Sequence, residues 1–214
     1  MLFKHNGIIL RTYVYIDGFN LYYRAVRNTH HKWLDLKLLS ENLLGIRHEI
    51  LKIKYFTAIV SGYGDPQRPI RQKTYIRALK KHISIIEVYY GHFLSHIVRL
   101  PLANPLPNRT FENVIKTEEK ASDVNLAVHL LNDAWSNAYD CAVIFSNDSD
   151  FAEAIQLVKK LNKTIGLIIP PNCNPSQQLL RCVDFKKPMR AGVLSASQLP
   201  NPIPDSKIHK PLIW

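Results

Sequence analysis

The alternation of short apolar runs with helical patterns is the feature of this chain that most limits its fold. The runs Tyr13–Ile16, Cys141–Phe145 and Thr164–Ile169 are rich in β-branched or aromatic residues. Segments with apolar residues at helical spacing lie between such runs. A repeated strand–helix order is typical of βα units, which build a parallel sheet covered by helices. The sequence therefore predicts an α/β fold.

The remaining elements follow the same order along the chain. Two more strands are predicted, from about Ile50 to Val60 and over 84–90. Residues 91–120 hold two strand-like runs around a Pro-rich turn, Pro101–Pro107, which predicts a hairpin beside the sheet. Helices are predicted over 19–27, 35–44, 68–82, 122–138, 151–161 and near 176–180.

The length and the prolines suggest one domain followed by a tail. A chain of 214 residues fits one ordinary domain, which we expect to span residues 1–185. Residues 186–214 contain five prolines and lack the periodicity of a second core. They predict a basic, Pro-rich, extended tail, either disordered or lying on the surface. Its end, Leu212–Trp214, could dock on the domain or mediate a homodimer or another protein contact.

The charge of the chain favours a polyanionic partner. Lys and Arg total 28 against 17 Asp and Glu, a formal net charge of +11, and such an excess attracts phosphates. Many proteins are basic without a specific reason, so charge alone does not decide. A solvated helix face is also an alternative for the basic residues of the third helix, which we otherwise predict to bind nucleic acid. These residues are Arg68, Arg71, Lys73, Arg77 and Lys80.

The cysteines and the apolar runs indicate where such a protein would reside. There are 3 cysteines and no CxxC pair, which argues against a disulfide framework or a structural zinc site and favours a reducing compartment. The run Ile8–Leu10 is too short for a signal-peptide core. Runs such as Ile165–Ile169 are far below membrane-spanning length. We therefore expect a cytoplasmic protein with no membrane contact.

Acidic residues occur where a parallel sheet forms its sites. Asp17 ends the first strand, Asp148 and Asp150 follow the strand 141–145, and Asp123 lies in the first turn of the preceding helix. The carboxyl ends of parallel strands meet near the point where strand order reverses. Converging carboxylates repel one another unless a divalent cation such as Mg²⁺ or Mn²⁺ neutralises them. Such an ion can activate water for an in-line phosphoryl displacement. Asn20, one turn after Asp17, could orient it or bind a metal-held water.

Each acidic motif also has a structural alternative. Asp123, with the serine before it, could serve a helix N-terminus. Asp150 and Glu153 have the spacing of a capping box, and Asp148 could also cap. Asp17 could belong to a plain turn at a strand end. The occurrence of all three motifs at the proper ends of their elements favours a common site.

Three motifs of the chain together resemble the NYN domain, a family of the PIN-like nuclease group. They are Tyr15–Leu21 (YIDGFNL), Lys120–Ala127 (KASDVNLA) and Ile144–Phe151 (IFSNDSDF). Their order and spacing match the family over roughly residues 11–185, and residues 116–120 look like those of bacterial members. One departure is Ala121, where many members have glycine.

The resemblance implies a Rossmann-like three-layer α/β/α sandwich and a Mg²⁺- or Mn²⁺-dependent ribonuclease. It implies that Asp17, Asp123, Asp148 and Asp150 form the catalytic, metal-binding cluster, and Asn20 matches the asparagine of the first motif. We expect an endoribonuclease that cuts single-stranded RNA and leaves 5′-phosphate and 3′-hydroxyl ends. The alternatives are a non-catalytic RNA-binding module of the same fold, or a metal-dependent phosphatase or DNA nuclease.

Overall fold

The computed structural model describes residues 9–171 and 173–214. Its strands are β1 (Leu10–Asp17), β2 (His48–Thr57), β3 (Ile86–Tyr90), β4 (His92–Leu106), β5 (Arg109–Lys120), β6 (Cys141–Phe145), β7 (Thr164–Ile169) and β8 (Phe185–Pro188). Its helices are α1 (Gly18–Leu21), α2 (Leu36–Leu44), α3 (Gln67–His82), α4 (Ser122–Trp135), α5 (Ala152–Lys159), α6 (Gln177–Cys182) and α7 (Ala191–Ala196). A π-helical segment, Tyr22–Val26, continues α1, and a 3₁₀ turn, Ser149–Phe151, precedes α5.

The central sheet has the order β3-β2-β1-β6-β7-β8, and all neighbouring strands in it are parallel. The chain moves outward from β1 to β3, then returns to the other side of β1 with β6. The order therefore reverses between β1 and β6, where α/β proteins of this class form their sites. The predicted parallel α/β fold is confirmed.

Side chains of β1 alternate between two cores, one on each face of the sheet. Val14 and Ile16 pack in the core with α2 and α3, whereas Tyr15 packs in the core with α4 and α5. Successive side chains of a strand point to opposite faces, so a central strand that is apolar throughout must be covered on both. This gives the expected three-layer sandwich.

The segment predicted to be an extended tail is instead packed on the domain, and that expectation is wrong. Strand β8 pairs with β7. Met189, Leu194, Leu199 and Ile203 are buried in the core beside α2 and α3. Their irregular spacing explains the error, because each fills a separate gap and no helical or strand period results. A protein partner for this segment stays a prediction.

The predicted hairpin is present as β4 and β5, an antiparallel pair that forms a sheet of its own. We call it the arm. Ile97 and Ile115 face each other across the two strands and are 72% and 73% exposed. Among the described parts of the chain, no helix has the length and apolar character needed to span a membrane.

Candidate active site

A cleft opens at the carboxyl ends of β1 and β6, at the reversal of strand order. We call it the acidic cleft. It is lined by Asp17, Asn20, Glu119, Asp123 and Asp148, together with Phe19, Tyr23, Arg24, Phe93 and Ser122. Four of the predicted site residues therefore lie together, and Asp150 lies outside this lining.

Asp17 is buried at the floor of the acidic cleft, with 7% of its surface exposed. Its Oδ1 accepts a hydrogen bond from the backbone N–H of Asn20 (2.9 Å), and its Oδ2 accepts one from Ser146 Oγ (3.0 Å). Burial raises the pKa of Asp17, those hydrogen bonds oppose the rise, and the charge of Asp148 adds to it. Asp17 thus caps α1 and faces the cleft, so its structural and functional interpretations hold together.

The loop after β6 carries the next two acids. Oδ1 of Asp148 accepts a hydrogen bond from the backbone N–H of Asp150 (3.0 Å) and so caps the 3₁₀ turn. Asp148 lines the acidic cleft, whereas Asp150 is exposed at its edge. The local cap explains why the loop presents Asp148 inward, because the hydrogen bond fixes the direction of that side chain.

Asp123 shows the electrostatic state of the acidic cleft most directly. Its pKa is raised to about 6, first by partial burial and then by the charges of Asp17, Asp148, Glu119 and Asp150. Such mutual repulsion requires the carboxylates to lie near one another. Asp123 also occupies the first turn of α4, a position that favours an acid.

Glu119 is a residue of the acidic cleft that the sequence analysis did not single out. Its carboxylate accepts hydrogen bonds from the backbone N–H (3.1 Å) and Oγ (2.7 Å) of Ser122, so Ser122 does not cap α4. A Cβ on Gly91 would lie 2.4 Å from the backbone oxygen of Lys120, which leaves room only for glycine beside Glu119. The only sequence signal for Glu119 was its place in the lead-in to the second motif.

Asn20 joins α1 to the loop after β6. Its Oδ1 accepts a hydrogen bond from the backbone N–H of Asn147 (3.2 Å). The side chain of Asn147 in turn donates to the carbonyl of Asn174 (2.9 Å) and accepts from the N–H of Ser176 (2.8 Å). Asn20 therefore holds the position of the loop that carries Asp148.

The structure divides the basic residues predicted to bind nucleic acid. Arg68 and Arg71 line a second pocket, which adjoins the acidic cleft. Lys73, Arg77 and Lys80 are exposed on the outer face of α3, with Lys80 Nζ lying 5.5 Å from the centre of the Tyr90 ring. A role in nucleic-acid binding stays a prediction for all five.

The donors of the acidic cleft suit a hard divalent cation in their chemistry. Carboxylate oxygens are the ligands that Mg²⁺ and Mn²⁺ prefer. The pKa of Asp123 is raised by burial and by the neighbouring negative charges, which a cation would offset. Within residues 9–171 and 173–214, however, no group of three or more His, Cys, Asp or Glu side chains is arranged as a ligand set. Side chains such as Asp17, Asp123 and Asp148 would have to turn toward a common point to hold the ion.

Comparisons with known proteins agree with this architecture. The chain is 35% identical over 237 aligned positions to 6-hydroxy-3-succinoylpyridine 3-monooxygenase HspA of Pseudomonas putida, covering 96% of this chain and 75% of that protein. The fold of the present chain is similar to that in the crystal structure of a protein of unknown function from Vibrio parahaemolyticus. The TM-score is 0.56 at 19% identity, covering 89% of this chain and 98% of the other.

The family is established by a match that spans most of the chain. The model of the NYN domain matches residues 11–186. That range contains all three motifs, the whole acidic cleft, strands β2 to β7 and all of β1 except its first residue. The chain belongs to the NYN domain family, which has a PIN-like nuclease fold.

Proposed function

We propose that the chain is a metal-dependent endoribonuclease that hydrolyses single-stranded RNA in the acidic cleft. The observation that carries the proposal is the group of carboxylates that line the cleft with Asp123. The pKa of Asp123 is raised to about 6, first by burial and then by the charges of these neighbours. Among the described residues that line the cleft, Arg24 is the one basic side chain. A cleft with this excess of negative charge favours a divalent cation, and the family makes a phosphodiester the natural substrate.

The chain's own residues would bind and orient the reacting groups. A divalent cation held by Asp17, Asp123 and Asp148 would activate water and stabilise the developing charge on phosphorus oxygens. Ser146 and the Asn20 N–H hold both oxygens of Asp17 in place. Ser122 does the same for Glu119. These contacts fix Asp17 and Glu119 in the lining of the acidic cleft before substrate arrives.

Cleavage of labelled single-stranded RNA in the presence of Mn²⁺ tests the proposal. We expect cleavage by the native protein and its loss in EDTA, in Asp17→Asn and in Asp148→Asn. Asn keeps the shape of the side chain but removes the charge that holds the cation. Glu153→Gln is a matched control, because Glu153 lies outside the lining of the acidic cleft and this variant should cleave normally.

The products and the failures of the test are equally informative. Ends carrying 5′-phosphate and 3′-hydroxyl are expected. Full activity in both Asp variants would refute the assignment of the site. Binding of RNA without cleavage under every metal condition would favour a non-catalytic RNA-binding module. Cleavage of DNA or release of phosphate from monoesters, with RNA left intact, would change the substrate class.

The name of the Pseudomonas putida relative supports a second candidate, a monooxygenase acting on a small aromatic compound. The observation that favours it is the pocket beside the acidic cleft, whose walls carry aromatic rings and basic side chains. Oxygenation at ring carbon 3 of such a compound would insert one oxygen atom of O₂ into the bond that joins this carbon to the succinoyl carbonyl. The other oxygen atom would be reduced to water by a two-electron donor such as NADH.

Substrate loss separates the two candidates. Incubation with 6-hydroxy-3-succinoylpyridine, NADH and air should leave the compound unchanged if the chain is only a nuclease. Stoichiometric loss of NADH and of the pyridine, unaffected by RNA, would establish the second candidate instead. The same protein preparation should be used for both assays, so that an inactive sample is recognised.

A further inference from the structure

A second pocket adjoins the acidic cleft and is built differently. It lies between α1 with its π-helical continuation on one side and α3 on the other, and Phe19 and Tyr23 line both sites. We call it the aromatic pocket. Its volume is about 310 Å³, at the lower end of the range of roughly 300–1,000 Å³ for small-molecule sites.

Rings form the walls of the aromatic pocket. The rings of Phe19 and Tyr23 are stacked, with centroids 6.4 Å apart and planes 23° apart. On the other side Trp214 meets Tyr75 edge to face, at 5.8 Å. Tyr23 is 55% exposed, and the Arg27 guanidinium lies 5.3 Å from the centre of its ring, so a ligand can reach this ring beside a positive charge. A flat ring is the shape that such walls bind best, through stacking.

Positive charge dominates the polar part of the same lining. As far as the described residues form it, the lining includes the basic residues Arg27, Lys32, Arg68 and Arg71 against one carboxylate, Asp65. Arg71 is paired with Asp65. The pKa of Lys32 is lowered first by burial and then by the charge of Arg71, so the two positive charges lie near enough to repel each other.

We propose that the aromatic pocket binds a flat aromatic ring that carries an anionic group. Stacking on Tyr23 would hold the ring, and Lys32 and Arg71 would attract the anion. If the proposed function is correct, on which this identification rests, the ligand is one nucleotide of the RNA strand, placed beside the acidic cleft by the shared residues. An aromatic carboxylate has the same chemistry and is the other source of such a ligand.

Trp214 gives the pocket a wall from a distant part of the sequence. Lys32 Nζ donates a hydrogen bond to the backbone oxygen of Trp214 (2.9 Å), and the Trp214 ring also packs on Trp33 at 5.9 Å. Indole fluorescence from this wall should respond when the pocket fills. That response supplies a readout that does not depend on cleavage.

Titration with adenosine 5′-monophosphate, adenosine and nicotinate, in EDTA, tests the proposal by fluorescence and calorimetry. We expect the mononucleotide to bind. Adenosine lacks the anion, and we expect its affinity to be lower by a factor of about ten or more. Lys32→Met should lower the affinity for the mononucleotide by about tenfold and leave the affinity for adenosine unchanged. Tyr23→Leu should weaken both. Lys160→Met, at the end of α5 and outside the pocket, is the matched control.

The outcomes distinguish this proposal from the proposed function. Asp148→Asn should abolish cleavage but keep mononucleotide binding, so failure of one does not imply failure of the other. Binding of nicotinate without the mononucleotide would support the pocket and identify an aromatic carboxylate as its ligand. The proposal would be overturned if the native protein bound neither the mononucleotide nor nicotinate and its Tm did not change when either compound was added. Affinities unchanged in both Lys32→Met and Tyr23→Leu would also overturn it.

Discussion

Helix α4 carries two polar clusters, one in which an acid is paired with a positive charge and one in which acids face other acids. Near its end, Asp133 accepts hydrogen bonds from Lys54 Nζ and from the Tyr15 hydroxyl, both at 2.6 Å. We call this the ionic network, which also brings Lys54 Nζ within 3.3 Å of His129 Nδ1. At the start of α4, Asp123 faces other carboxylates across the acidic cleft.

The difference separates structure from function. In the ionic network a cation and a hydroxyl satisfy the one buried acid, so folding alone completes the cluster. In the acidic cleft the negative charges repel one another, and a partner from solution is needed to complete it. Charge compensation, rather than the mere presence of aspartate, therefore marks the candidate site.

The largest effect is expected from removing the cation of the ionic network. Lys54 is 4% exposed, so Lys54→Met leaves the buried Asp133 with only the Tyr15 hydroxyl and no positive charge. This should lower the free energy of unfolding by about 3–5 kcal/mol. Urea denaturation measures this. Lys52→Met is the matched control, because Lys52 and Glu87 form an ion pair near the surface that contributes about 0–1 kcal/mol. Equal effects in the two variants would contradict the comparison.

The next effect is stabilisation of the protein by a divalent cation bound in the acidic cleft. Mn²⁺ at a hundred times its Kd should raise the free energy of unfolding by about 2.7 kcal/mol. Thermal unfolding with and without Mn²⁺ measures it. The ion should stabilise Asp148→Asn much less, while Lys52→Met should respond like the native protein. An identical Mn²⁺ response in Asp148→Asn would show that the ion binds elsewhere.

A smaller effect is expected from pH in protein free of divalent cations. The pKa of Asp123 is about 6 in the folded protein against an ordinary value of 3.8. Because the folded state holds this proton more tightly, stability falls as pH rises from about 4 to about 6 and stays lower above that. Asp123→Asn removes the penalty, so at pH 8 its Tm should exceed that of the native protein by about 2 °C, a modest gain because Asp123 is partly exposed.

The measurement is thermal unfolding in EDTA at several pH values. The difference between Asp123→Asn and the native protein should narrow as the pH falls toward 4, where Asp123 is protonated in the folded state. A variant less stable than the native protein at pH 8 would mean that the cleft is already compensated.

The smallest effect concerns Ala121, directly before α4. Its φ of 81° lies in the left-handed region, which favours glycine. Ala121→Gly should therefore raise the free energy of unfolding by about 0.5 kcal/mol, after the entropy cost of glycine is subtracted. Ala127→Gly, inside the same helix, should lower it by about 1 kcal/mol. Chemical denaturation that finds both variants destabilised alike would show that the Ala121 backbone is not strained.

Features set by residues close together in the sequence could be predicted, and most features set by residues far apart in the sequence could not. The strands and helices were predicted because their periods are local, and the grouping of Asp17, Asp123 and Asp148 because strand ends meet at one edge. The ionic network was not predicted, since Lys54 and Asp133 are 79 residues apart. The packing of residues 189–203 was missed because their buried side chains follow no local period.

The basic residues of α3 show a further limit. The helical period placed Lys73, Arg77 and Lys80 on one face, and they share an exposed face in the structure. The helical period did not predict that Arg68 and Arg71 line a pocket with Trp214. That pocket depends on where the end of the chain docks, which no local pattern encodes.

The arm has a consequence for how relatives of this chain can diverge. Phe93 and Glu119 are paired at its base and both line the acidic cleft. Because side chains alternate between faces, a one-residue insertion near this pair would turn one of them away from the cleft. Insertions or deletions beyond the base, matched on both strands, would leave it untouched. We expect the arm to vary freely in length across evolution while the register of its first pairs stays constant.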